Sequence, residues 1–129
     1  MVRDDLQVEE LGGLTTAYWR YHQLARGTRE QRLASEEHVW ALLEVADCVD
    51  GDPDRAVVVI DALLNHPDAV APTVGCGPLE DLLLAAPQSA VEVGRRCSAD
   101  PLWREAASYV VLADPVPDAV AVYVAKRPE

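Results

Sequence analysis

The apolar residues of this chain recur at spacings of three and four, and proline and glycine cut the runs repeatedly. Such a period belongs to helices buried along one face, and cuts every ~10–16 residues limit each helix to a few turns. In the first stretch Leu11, Leu14, Tyr18, Tyr21 and Ala25 share a face. Asp4 or Asp5 opens it, Gly12-Gly13 bends or interrupts it, and Gly27 ends it. Thr28 to Ala34 is polar and reads as a loop or short turn. Ser35 suits the N-cap of a second helix, with Glu36 and Glu37 at its positive end. Its expected buried stripe is Val39, Leu42, Leu43, Ala46 and Val49, and Gly51 stops it.

Asp52-Pro53 starts a third helix in the favoured order, cap then proline, with Ala56, Val59, Ile60, Leu63 and Leu64 inward. Asn65-His66-Pro67 breaks it, and a connector follows. Pro78 begins a fourth helix, with Leu79, Leu82, Leu83 and Ala86 inward. Pro87 leads to a fifth, with Ala90, Val93, Gly94 and Cys97 on one face. Asp100-Pro101 repeats the capped start, and Leu102, Trp103, Ala106, Tyr109, Val110 and Ala113 follow at helical spacing. Beyond Pro117, Val120, Val122 and Val124 alternate like a strand, whereas Val116, Ala119, Val120 and Tyr123 fit a helix. With no second clear strand to pair, helix is expected.

These segments predict an all-α fold of five to seven helices in antiparallel pairs, as a short HEAT-like α-solenoid or a helical bundle. One domain is expected over residues 1–129, its core at about 14–113 and its tail, 114–129, an added helix. Pro53-x-x-Ala56-Val57-x-Val59 recurs 34 residues later as Pro87-x-x-Ala90-Val91-x-Val93, a faint internal repeat.

Charge narrows the partners. The formal net charge of −11 repels nucleic-acid phosphates and anionic membranes, so neither is an expected partner. It suits a basic protein partner, and it equally keeps an isolated protein soluble. No stretch reaches the length of a membrane span. The acidic start lacks the pattern of a secretory signal. Cys48, Cys76 and Cys97 form no C-x-x-C pair and read as free thiols in a reducing cytoplasm.

The candidate chemistry is sparse. His22, His38 and His66 show no metal-ligand spacing, the serines lie in no nucleophile motif, and no phosphate-cradling loop is present. No catalytic, cofactor-binding or metal residue is therefore assigned. The acids around Asp47, Asp50, Asp52 and Asp54 fail the calcium-loop pattern because Gly51 comes too early.

The string Gly75-Cys76-Gly77-Pro78-Leu79-Glu80-Asp81 carries two readings. Glu80 at the third helical position can reach back to the cap amides. Alternatively, the glycines admit a partner's backbone while Glu80 and Asp81 grip an Arg or Lys. In Tyr18-Trp19-x-Tyr21-His22, either Tyr18 or Trp19 reaches a rim as a binding anchor, or both fill core against Trp40 and Trp103 in a chain without Phe.

Trp19-x-Tyr21, Gly75-x-Gly77-Pro78-Leu79-Glu80-Asp81-Leu82-Leu83 and Asp100-Pro101-Leu102-Trp103 together resemble a group of small bacterial proteins of unknown function. The resemblance covers about residues 17–112 and implies no activity. Small acidic helical proteins of that kind look like immunity or adaptor proteins, an analogy at the level of fold.

The expected function is an acidic protein-interaction module, an inhibitor or immunity-type partner of a basic protein. Its expected binding residues are Glu80, Asp81, Gly75, Gly77, Glu36, Asp50 and Asp52, with Trp19 as anchor. The alternatives are a homodimer closed by an apolar helix face, and a small enzyme with Glu80 and Cys76 or His66 at a cleft.

Overall fold

Two aspartates set the architecture. Asp52 Oδ1 accepts the Arg55 N–H at 3.2 Å, and Asp100 Oδ1 accepts the Leu102 N–H at 2.9 Å. Each is followed by proline at the first helical position, so each is the single residue between two helices. In the computed structural model, which describes residues 3–128 and side chains from residue 10, these two junctions join α3 (Val39–Gly51) to α4 (Pro53–Leu64) and α7 (Ala90–Ala99) to α8 (Pro101–Ala107). Each of these pairs packs together. The other helices are α1 (Arg3–Ala25), α2 (Arg29–Ala34), α5 (Ala71–Val74) and α6 (Glu80–Ala85). The fold is an all-α bundle.

Helix α4 lies at its centre. Val59, Ile60 and Leu63 are fully buried, and the buried cluster runs from Leu14 to Val120. Two indoles are held against α4: Trp19 Nε1 donates to the Leu63 carbonyl at 3.1 Å, and Trp103 Nε1 donates to Asp61 Oδ1 at 2.9 Å. A buried indole needs such an acceptor, and α4 supplies both. The faint repeat places Ala56 and Ala90, and Val59 and Val93, at equally buried sites, but Val57 is buried and Val91 exposed.

Several expectations are corrected. The Gly12-Gly13 pair does not interrupt α1, which runs through it. Asp4 and Asp5 as its opening residues lie outside the described side chains. The segment after Gly27 is helix, because Thr28 and Gln31 form a reciprocal capping box. Ser35 caps no following helix; its hydroxyl donates to the Arg32 carbonyl at 2.5 Å, closing α2. A 3-10 turn, Ser35–His38, then precedes α3. The break at Gly77 is real, with φ −103° and ψ −111° inside a widened turn over Gly75–Leu79.

Helix α8 ends at Ala107 rather than continuing to Ala113. The Val111 N–H, which would bond to Ala107 in a continued helix, instead bonds to Glu80 Oε1 at 2.9 Å. Val111–Leu112 (β1) then pairs in parallel with Ala125–Lys126 (β2), in the register Val111 with Ala125. The Ala125 N–H donates to the Val110 carbonyl at 2.8 Å, and the Arg127 N–H to the Leu112 carbonyl at 2.7 Å. The tail is therefore turns and a short strand, not an added helix. Its partner strand lay hidden in residues that also fit the end of α8. Val120 is the tail's buried plug.

Candidate functional site

Helix α3 carries three exposed large apolar side chains, Val39, Trp40 and Leu43. Its buried residues are Ala41, Val45, Cys48 and Val49. Of the stripe expected to be buried, only Val49 is, and the buried face is rotated from that stripe by about one residue, roughly 100°. Val39 is 42 % exposed and Leu43 61 %, Ala46 is also exposed, and Leu42 is half-buried. Trp40, beside them, is 49 % exposed. Thus α3 has two apolar faces, one spent on the core against α1 and α4 and one turned to solvent.

Acids bracket the solvent face. At its start, Glu36 and Val39 line a groove with Tyr21 and Arg32. Along it, Glu44 and Asp47 are exposed. At its end, Asp50 and Asp81 face one groove of about 390 Å³ together with Ala46 and the exposed Leu84 of α6. Asp50 and Asp81 are far apart in sequence, and packing of α3 on α6 brings them together. Asp81 has its pKa raised, first by partial burial, then by the charges of Glu80 and Asp50.

A second cleft, about 250 Å³, adjoins this groove and shares Ala46, Val49 and Asp81 with it. Tyr18 and His22 of α1 line it, together with Gly77 and Pro78. Tyr18 stacks edge-on with His22, ring centres 4.7 Å apart. Burial, then the Asp81 charge, pushes the Tyr18 phenol up to about 12. His22 Nε2 is buried without a hydrogen-bond partner among the described residues. Burial, then Arg26, lowers the His22 pKa.

The remaining expected site residues lie elsewhere. Glu80 is tied to Val111. Asp52 is occupied as the cap of α4. At Gly75 a Cβ would overlap the Ala106 carbonyl oxygen, so this glycine serves the approach of α8. Trp19 is 1 % exposed, and the surface anchor expected of it is corrected: its ring is core. The half-exposed tryptophan is Trp40, which the sequence placed in the core only in the reading where Tyr18 and Trp19 pack against it. Cys76 is exposed, with Sγ 3.5 Å from the Tyr109 carbonyl. His66 Nδ1 accepts the Asp68 N–H at 3.0 Å, leaving Nε2 to face Thr16 Oγ1 at 3.4 Å. None of these bonds joins Glu80, Cys76 or His66 to another of the three.

Searches against protein-family models, curated proteins and solved structures each returned no match. Among the described residues, no helix is long and apolar enough to cross a membrane. No group of three or more His, Cys, Asp or Glu side chains there is placed to hold a metal ion.

Proposed function

We propose that this protein is an acidic interaction module whose outer α3 face docks a basic, amphipathic protein segment. One observation carries the reading: Val39, Leu43 and Ala46 form an apolar stripe in solvent, with Glu36, Glu44, Asp47, Asp50 and Asp81 around it. An exposed apolar stripe rimmed by polar groups is the anatomy of a protein interface. A net charge of −11 speeds encounter with a cation-bearing partner and slows encounter with a second copy of the same chain. The half-exposed Trp40 takes the anchoring part, since an aromatic at such a rim removes much apolar area at low entropic cost. The immunity-type or inhibitor role, the bacterial family resemblance and a cytoplasmic setting belong to the same proposal.

A fluorescent, helix-forming peptide of arginine and leucine, with a glutamate–leucine peptide as control, tests it by anisotropy. The basic peptide should bind, more weakly as salt rises, and Leu43→Glu should reduce binding at least about tenfold while leaving the helical signal intact. Equal binding by Leu43→Glu overturns the proposal. So does doubled mass by light scattering that disappears in Leu43→Glu, because the stripe would then close a homodimer.

A further inference from the structure

We propose that the cleft between Tyr18, His22 and Asp81 receives an arginine side chain of the docked partner. This deepens the docking reading and rests on it for the source of the arginine, though not for the chemistry of the cleft. Its volume of about 250 Å³ accommodates a guanidinium and its three-carbon stem. Leu42, Val45, Val49 and Pro78 give the stem apolar walls. Asp81, which lines both this cleft and the outer groove, offers a carboxylate.

The surrounding charges favour one orientation. Asp50 and Glu80 crowd Asp81, so an arriving cation relieves repulsion there. Arg26 acts on His22 at the other side of the cleft, and its Nη2 stands 3.5 Å from Thr73 Oγ1. A guanidinium is therefore directed towards Asp81 and away from Arg26. His22 is kept neutral by burial and Arg26, so the cleft holds no imidazolium to repel the guest. The cleft is roomy at Gly77, where an added Cβ would have only the Tyr18 hydroxyl within 4 Å, at 3.8 Å.

N-acetyl-arginine amide and its neutral isostere N-acetyl-citrulline amide test the proposal by NMR titration of the intact protein. The arginine compound should produce saturable shifts at His22 and Gly77, and the citrulline compound should bind at least about tenfold more weakly. Asp81→Asn, a change at an exposed residue, should cost a similar factor, whereas Leu43→Glu should not change the arginine titration. Equal binding of the two amides, or no saturable shift at His22 and Gly77, overturns the cleft assignment while the α3 peptide result stands. Arginine amide binding with no peptide docking would overturn the α3 reading and leave the cleft as a free arginine site.

Discussion

Glu80 Oε1 accepts the Val111 N–H at 2.9 Å, across 31 positions of the chain. One carboxylate thereby fastens the first turn of α6 to the point where α8 gives way to β1. A hydrogen bond to a charged acceptor contributes about 1.5–3 kcal/mol when sheltered and less when half-exposed. Glu80→Ala should lower stability by about 1–2 kcal/mol, and Glu80→Gln, which keeps an acceptor, by less. Amide exchange is the sharper readout. Val111, Ala125 and Arg127 should lose protection together in Glu80→Ala, and unchanged exchange there would show that the tie carries no load.

The glycines divide by what a methyl group would meet. At Gly75 it would overlap the Ala106 carbonyl oxygen, and at Gly94 the Ala119 carbonyl oxygen, both backbone atoms unable to swing aside. Gly75→Ala and Gly94→Ala should each destabilise by about 1–3 kcal/mol. Gly12, within α1, has nothing within 4 Å of the added carbon, so Gly12→Ala should stabilise by about 0.5–1 kcal/mol. Chemical denaturation of the three variants settles the order.

Acid should weaken the fold in two steps. His22 has a folded pKa below its ordinary 6.5, so the unfolded chain binds its proton first. The His22 contribution is complete above pH 6.5 and is lost as pH falls through 6.5 towards the lowered folded value. Glu92 follows at lower pH. Hydrogen bonds from Arg95, then Arg96, hold its carboxyl at about 2, so its contribution is present above 4.5 and disappears as pH falls towards 2. Glu92 is solvated, so solvent screening reduces the stability its shift carries. Urea midpoints against pH should show the first step in the wild type and not in His22→Phe.

At the alkaline end the direction reverses. Tyr18 is raised from 10 to about 12, so the stability it contributes is complete below pH 10 and is lost as pH rises from 10 towards 12. In a spectrophotometric titration of the four tyrosines, Tyr18 should be among the last to ionise. Tyr18→Phe should remove that late component, and Asp81→Asn should move it to lower pH.

Where the sequence was informative, the cause was local. Asp52-Pro53 and Asp100-Pro101 start helices because cap and proline act within one turn, and Ala56, Val59, Ile60, Leu63 and Leu64 are all buried at their helical spacing. Thr28 with Gln31 is an equally local signal, a capping box, inside a segment whose polarity alone reads as loop. Helix α3 could not be phased from its sequence: Ala41, Val45, Cys48 and Val49 compete with Val39, Leu42, Leu43 and Ala46, and only packing chooses between them. The Glu80–Val111 bond and the pairing of Val111 with Ala125 are contacts between distant segments that no periodicity encodes. For the site, acids were legible as residues but not as neighbours. Asp50 and Asp81 meet, Glu80 and Asp52 are spent on structure, and Trp19 is core where Trp40 is surface.

Chemical-shift mapping with the arginine–leucine peptide tests the central claim most directly, because it reads location as well as affinity. The account predicts a contiguous response along Val39, Trp40, Leu43 and Ala46, continuing to Asp50, Asp81 and Leu84, and its loss in Leu43→Glu with the fold intact. Shifts scattered over the acidic surface without an α3 maximum, or an undiminished response in Leu43→Glu, would contradict it.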